Sequence, residues 1–184
     1  MDRLLEGLRR GDVAALELLH ALYSERLVRA AWTFTGNWEV ARDATQECLI
    51  AAMGGAGHIR EANQLRAWLF GVLFNCCRTL MRKESRRRRR EERKARALGE
   101  RASGAQAYPE ETLALKLRLH ALQQALAGLD EGKRMVIVLR FLEGMSVKDC
   151  AQVLGIPEGS VKSRTHSALG ELKETLKDWR DDTL

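Results

Sequence analysis

The chain has 184 residues, of which 45% are hydrophobic and 30% charged, and it carries a net charge of +6 at pH 7. These proportions support the core of one medium or two small domains. No apolar run reaches the roughly 18 residues that a membrane-spanning helix needs. Few prolines and abundant Leu, Ala, Arg and Glu favour an all-α protein. Because the N-terminus lacks the architecture of a signal peptide, we expect a cytoplasmic protein with no direct membrane insertion.

The four cysteines are Cys48, Cys76, Cys77 and Cys150, and none forms a CxxC pair. All four fall in apolar, helical patterns, and His and Cys never gather at ligand spacing. The sequence therefore predicts reduced thiols in a core, with no metal and no other cofactor.

Positive charge is concentrated between Arg78 and Arg96, where 11 Lys and Arg face 3 Glu. This local excess of +8 leaves −2 for the rest of the chain. A basic segment on a nearly neutral body predicts a polyanionic partner bound at one place. The five consecutive arginines at 86–90 would surround a helix, so a solvated helix end explains that run equally well.

Two long helices open the predicted N-terminal domain. Asp12 caps the first, which runs to the turn at Gly36, and the second covers about residues 38–53. The second helix has an apolar side and also a mixed face at i, i+3, i+4 and i+7. By itself such a face is typical of a solvated surface, although an isoleucine among polar residues is unusual there. The mixed face consists of Asp43, Gln46, Glu47 and Ile50.

Glycines at 54, 55 and 57 end the second helix, and residues 58–63 are predicted to form a polar loop. The helix that follows has a periodic apolar stripe that we expect in the core. The stripe consists of Leu65, Trp68, Leu69, Val72, Leu73, Cys76 and Leu80. Another face of the same helix becomes polar and basic, which suits a nucleic-acid backbone. That face carries Gly71, Asn75, Arg78 and Arg82.

Residues 97–111 are rich in Ala, Gly and Ser without apolar periodicity, and they predict a flexible linker. The chain is thus divided into two small helical domains, 1–96 and 112–184. Within the second, the segment from Ser146 to His166 has the frame of a DNA-binding helix-turn-helix. Ser146 is an N-cap, Gly155 supplies a left-handed helix end, and Ser160 can cap the second helix. An ordinary helical hairpin is the alternative.

Several segments, in this order, resemble an extracytoplasmic-function (ECF) sigma factor, a specificity subunit of bacterial RNA polymerase. Residues 38–47 resemble the polymerase-binding helix of sigma region two. Residues 67–75, with the arginine cluster after them, resemble its promoter-melting helix. Residues 126–146 resemble the entry to sigma region four, and residues 155–164 resemble its recognition helix.

The resemblance implies a function for each of the mixed and basic faces. Core RNA polymerase would bind the mixed face through a coiled coil of its largest subunit. An unstacked base of the −10 promoter element would enter the loop 58–63, where His58 and Asn63 lie, with Asn63 as its hydrogen-bonding partner. Asn75, Arg78 and Arg82 would hold the DNA strand. The −35 element of promoter DNA would be contacted by Lys162, Ser163, Arg164, His166 and Ser167.

A flexible linker would also let the two domains fold together in a compact inactive form, and the resemblance implies an anti-sigma factor, soluble or membrane-bound, that holds this form by covering the polymerase-binding faces. Two other interpretations stay open from the residues alone. A DNA-binding regulator that never joins polymerase would bind its site unaided and would not need Asp43 or Gln46. An enzyme such as a serine recombinase with a C-terminal helix-turn-helix would need an α/β catalytic domain, which the helical N-terminal half does not provide.

Overall fold

The computed structural model describes residues 1–98 and 113–177, and within these ranges the chain is helical and contains no strand. The all-α prediction is confirmed. A 3₁₀ turn, Ala56–His58, follows α3, and a π-helical turn, Val138–Leu142, continues α6. The α-helices are α1 (Asp2–Arg9), α2 (Val13–Thr35), α3 (Trp38–Gly55), α4 (Gln64–Leu98), α5 (Leu113–Gly128), α6 (Glu131–Ile137), α7 (Val147–Leu154) and α8 (Glu158–Thr175).

Helix α1 precedes the first helix that the sequence predicted, and its apolar side is buried against α2 and α3. Leu4, Leu5 and Leu8 are each 4% exposed or less. The close approach requires a glycine, because a Cβ on Gly7 would lie 2.6 Å from the Cβ of Ala15. The chain therefore begins with a short helix fixed to the core, which then turns at Gly11 with φ +70°.

The caps of α2 and α3 follow from their sequences. The Asp12 carboxylate accepts a hydrogen bond from the amide of Ala14 at 3.0 Å, and the Asn37 side chain accepts one from Val40 at 3.2 Å. Between them Gly36 adopts the left-handed conformation, with φ +67°. This αL residue reverses the chain and sets α2 and α3 side by side.

Helix α4 buries part of the predicted stripe, since Leu65, Leu69 and Leu73 lie in the core. Trp68, Val72, Cys76 and Leu80 are only partly buried. Trp68 instead covers Gly55, where a Cβ would lie 2.5 Å from the indole ring. The stripe in the core consists of Leu65, Leu69, Phe70, Leu73, Phe74 and Cys77.

The C-terminal unit is built from α5 to α8, and its helix-turn-helix has the predicted frame. Ser146 and Asp149 form a reciprocal capping box, with backbone-to-side-chain distances of 3.0 and 3.3 Å. Gly155 ends α7 in the left-handed region, with φ +63°. The prediction that Ser160 caps the next helix is wrong, because α8 begins at Glu158 directly after Pro157.

One apolar cluster spans both halves of the chain. Residues of α6 to α8, such as Met135, Leu139 and Val161, belong to the same buried cluster as Leu27 and Phe74 of the N-terminal helices. We call this packing of α6 and α7 against α2 and α4 the closed arrangement. Of the predicted linker 97–111, residues 97 and 98 belong to α4 and the rest lie outside the described residues. The domain boundaries therefore stay predictions.

Candidate functional site

The mixed face of α3 points away from the core, as the sequence predicted. Asp43, Gln46 and Glu47 are exposed, and Ile50 is 58% exposed. The opposite side of the helix is buried against α2 and α4 through Ala41, Ala44 and Cys48 and their neighbours. Four neighbouring side chains are thus available to a protein partner.

A groove between α2 and α3, about 630 Å³ in volume, borders this face. Leu49, Ile50 and Met53 line it from α3, and Met53 is 51% exposed. Leu22 of α2 is likewise exposed, at 48%. Of these apolar side chains, Ile50 was predicted to belong to the face, whereas Leu49, Met53 and Leu22 were not, although Met53 follows Ile50 by one helical turn.

The predicted −10 loop is held by two buried anchors. Ile59 is 3% and Ala62 8% exposed, so the loop is less polar than predicted. Asn63 is exposed, and its amide donates a hydrogen bond to Glu61 at 3.1 Å. His58 ends the 3₁₀ turn, and its side chain lies outside the described part of the structure.

The polar face of α4 lies partly under the C-terminal half. Asn75 and Arg82 are exposed, whereas Arg78 is about one-third exposed and forms an ion pair with Glu131 of α6. A cleft of about 320 Å³ runs between α4 and α7, and its walls include Asn75 and Val153. Three predicted strand-binding residues thus share one helix, and one of them is already engaged within the chain.

On α8, the predicted −35 residues separate into two groups. The side chains of Lys162, Ser163, His166 and Ser167 are exposed together on one side. Arg164 is half-buried and points instead at α6, because a Cβ on Gly132 would lie 2.8 Å from its guanidinium. The outward face therefore contains one formal positive charge, that of Lys162.

A buried carboxylate joins the two halves. Glu143 is 4% exposed and accepts a hydrogen bond from Arg26 of α2 at 2.8 Å. Arg66 of α4 lies 3.5 Å from the same carboxylate and also donates to the backbone carbonyl of Glu143. A buried carboxylate needs such partners, and here both come from the other half of the chain.

A second contact between the halves involves Arg134 of α6. Its guanidinium donates to the carbonyl of Phe34, near the end of α2, at 2.9 Å, and lies 5.9 Å from the centroid of the Phe34 ring. It also donates to the carbonyls of Ala127 and Leu129 at 2.8 and 2.9 Å. Burial lowers the pKa of Arg134. This residue links the end of α2 to the α5–α6 turn.

The cysteines are free thiols inside the helical packing. Burial raises the pKa of Cys48 and of Cys77 to about 12, and that of Cys150 to about 11. In the described part of the chain, His, Cys, Asp and Glu form no cluster that could hold a metal ion. No helix in the described ranges is long and apolar enough to span a membrane.

Comparison with known protein families matches both halves. Residues 19–87 match Sigma-70 region 2, and residues 119–172 match Sigma-70, region 4. The ECF RNA polymerase sigma factor SigL of Mycobacterium tuberculosis is 36% identical over 176 residues, which cover 92% of this chain and 96% of the relative. The ECF RNA polymerase sigma factor EcfG of Rhodopseudomonas palustris is 31% identical over 173 residues, which cover 94% and 87%.

Two solved structures share the fold. The sigma factor RpoE from Bartonella quintana, crystallised with the anti-sigma factor NepR, matches with a TM-score of 0.72 and 27% identity over 90% of this chain and 98% of that one. CnrH, solved with the cytosolic domain of CnrY, matches with a TM-score of 0.71 and 26% identity over 95% and 96%. The chain belongs to the ECF sigma factors, transcription factors rather than enzymes, which bind core RNA polymerase, direct it to promoters and initiate transcription.

Proposed function

We propose that separate faces of this sigma factor carry out its three binding tasks. The face of α3 formed by Asp43, Gln46, Glu47 and Ile50 binds core polymerase. The observation that supports this most strongly is the exposure of Ile50, 58%, next to an open apolar groove. Protein interfaces have an apolar core surrounded by a polar rim. An exposed isoleucine beside polar side chains fits that arrangement.

The loop 58–63 and the polar face of α4 bind the −10 element. Extruding a base costs a few kcal/mol, so the loop must offer a prearranged hydrogen-bonding group, for which exposed Asn63 is suited. Asn75, Arg78 and Arg82 are spaced along α4 and contact the strand backbone, together with the arginines at 86–90. Such phosphate contacts make the affinity depend strongly on salt.

The outward face of α8 binds the −35 element in the major groove. Lys162, Ser163, His166 and Ser167 supply hydrogen-bonding groups to base edges. Arg164, held beside Gly132, lies at the border of this face and contacts phosphate. Because this surface has little charge, the polymerase and the basic end of α4 supply most of the affinity.

An anti-sigma factor, soluble or membrane-bound, holds the chain inactive in the cytoplasm by stabilising the closed arrangement. Two observations support this. Arg78 is engaged by Glu131, and α7 forms one wall of the cleft beside Asn75, so the closed arrangement restricts access to the strand-binding face. In addition, both structural neighbours were solved in complexes, and the partner of RpoE is described as an anti-sigma factor.

Run-off transcription on genomic fragments, with and without the purified chain added to core polymerase, tests the proposal. We expect transcripts that begin at a small set of sites only when the chain is present. Site-specific DNA binding by the chain alone, without association with core polymerase, would instead support a free-standing regulator.

A further inference from the structure

Helix α1 lies outside the residues matched to Sigma-70 region 2, which begin at position 19. It is nevertheless a rigid part of the N-terminal half, since Leu4, Leu5 and Leu8 are buried and Gly7 lies against Ala15. Its last residue, Arg9, reaches a segment 50 residues further along the chain. The helix therefore connects the start of the chain to the 58–63 loop.

The contact is made by one guanidinium and two consecutive carbonyls. Nη2 of Arg9 donates to the carbonyl oxygen of Ile59 and, at 3.2 Å, to that of Arg60. The backbone bonds of the loop itself close turns on either side, from Ile59 N to Ala56 O and from Gln64 N to Glu61 O. The two carbonyls between these turns are thus satisfied by a side chain, and hydrogen bonds from a charged donor are stronger than neutral ones.

The contact lies directly before the exposed tip of the loop. Ile59 and Ala62 point into the core, while Arg60, Glu61 and Asn63 are exposed. Fixing the carbonyls of residues 59 and 60 fixes the peptide planes that lead to this tip. A recognition loop must be held to within about 0.5 Å for its hydrogen bonds to distinguish one base from another.

We infer that Arg9 is a positioning residue for −10 recognition, and that α1 belongs to the unit that reads the −10 element. Arg9 acts through the loop backbone and leaves the base contact to Asn63. The inference rests on the proposed function of the loop. Arg10, the neighbouring residue, is also exposed and positively charged, but within the described part of the structure it donates no hydrogen bond to the loop, so it provides a matched control.

Amide hydrogen exchange of the full-length free protein tests the contact itself. We expect the amides of residues 57–63 to exchange about tenfold faster in Arg9→Ala than in Arg10→Ala, since the loop loses a local restraint. The rest of α2 and α3 should exchange as in the parent chain. Equal exchange of the loop in the two variants would overturn the inference, whatever the loop does in transcription.

Transcription by the reconstituted holoenzyme tests the consequence. A promoter found by run-off is compared with single-base variants of its −10 and −35 elements. Arg9→Ala should lower the discrimination among −10 variants by about tenfold, the effect of a weakened base contact. Discrimination at −35 and affinity for core polymerase should stay unchanged, and Arg10→Ala should behave as the parent chain at −10. Arg9→Lys, which keeps one donor to the carbonyls, should restore part of the discrimination.

The variant Asn63→Ala separates the positioning role of Arg9 from the proposed DNA-reading function of the loop. If Asn63→Ala abolishes −10 discrimination and Arg9→Ala leaves it intact, the loop reads DNA and the positioning role is wrong. If neither variant changes it, the proposed function of the loop fails along with the inference. If Arg9→Ala changes it and Asn63→Ala does not, Arg9 positions the loop and another loop residue makes the base contact. A lower unfolding temperature with unaltered discrimination would show a structural role only and would also overturn the inference.

Discussion

Arg78 of α4 pairs with Glu131 of α6, which lies 53 residues later in the other half of the chain. Arg78 is also one of the residues proposed to hold the promoter strand. The Glu131 carboxylate thus engages the guanidinium that, in the proposed function, binds DNA phosphate. Under that proposal, closing the chain and binding the −10 strand compete for the side chain of Arg78.

Replacing the carboxylate by an amide tests this competition. Glu131→Gln should raise the affinity of the free protein for a −10 single strand by up to about fivefold, because an exposed ion pair contributes at most about 1 kcal/mol. Fluorescence anisotropy at several salt concentrations would measure it. Glu6→Gln makes the same change of charge on α1, and an equal gain there would show that net charge alone is responsible.

The buried carboxylate of Glu143 should matter more to stability. Glu143→Gln leaves Arg26 and Arg66 with a weaker partner, and breaking a buried pair costs about 3–5 kcal/mol when both charges are fully buried. Here the two arginine side chains are 39% and 33% exposed, so we expect about 1–2 kcal/mol.

Urea unfolding would measure that loss, and small-angle X-ray scattering would show a larger radius of gyration if the halves separate. Glu174→Gln on the exposed surface of α8 is the control. A Glu143→Gln variant as compact and as stable as the control would mean that the apolar contacts alone hold the closed arrangement.

Core binding should depend on the exposed polar side chains of α3. The double change Gln46→Ala and Glu47→Ala should weaken binding to core polymerase at least about tenfold, since truncation of central interface residues costs about 2 kcal/mol or more. Both residues are exposed, so the far-ultraviolet circular dichroism and the unfolding midpoint should not change. Glu6→Ala is the matched control, and unaltered affinity of the double variant would show that this face is only solvated.

The core thiols should react slowly in the native state. At pH 8, a pKa of about 12 leaves about a thousandfold less thiolate than the ordinary value of 9.0. Burial raises the pKa of Cys76 too. Because Cys76 is only half-buried whereas the other three cysteines are buried, we expect it to react first with Ellman's reagent. In Cys76→Ser this first reaction should be absent, whereas equally fast reaction of all four thiols would show that the packing opens readily.

The same pKa values predict how stability changes with pH. The folded chain keeps the protons of Cys48 and Cys77 up to about pH 12, while the unfolded chain releases them near 9.0. Ionisation therefore favours the unfolded state, and stability should fall as pH rises through this interval. Replacing Cys48 by Ala should reduce the slope of unfolding free energy against pH.

Local rules predicted most of the helix-turn-helix. The capping box at Ser146 and the left-handed Gly155 are decided by a few neighbouring residues, so they can be read from sequence. The exposed face of α3 was also predictable, because helical periodicity separates it from the buried side. The predicted cap at Ser160 was wrong because the helix begins earlier, directly after Pro157, whose fixed φ already suits a helix start.

Tertiary contacts explain what periodicity could not predict. Helix α4 packs on α2 and α3 and also on α7, so more than one of its faces is apolar and the stripe through Trp68 was not the most buried one. Helix α1 was not predicted, although Leu4, Leu5 and Leu8 at i, i+1 and i+4 form one apolar side, because the first helix was started at the Asp12 cap. The pairs formed by Glu143 and Glu131 join residues more than 50 positions apart, and a single sequence contains no signal for them.

The apolar cluster shared by the two halves has a thermodynamic consequence for activation. Separating the halves in water would expose side chains such as Met135 and Leu139, which are now 2% and 0% exposed, at a cost of about 25 cal/mol per Å² of apolar surface. A partner that covers this surface removes that cost, and only differential affinity for the open form can shift the equilibrium. Under the proposed function, separation of the halves is therefore linked to binding, and polymerase is the partner whose affinity for the open form would supply the energy of opening.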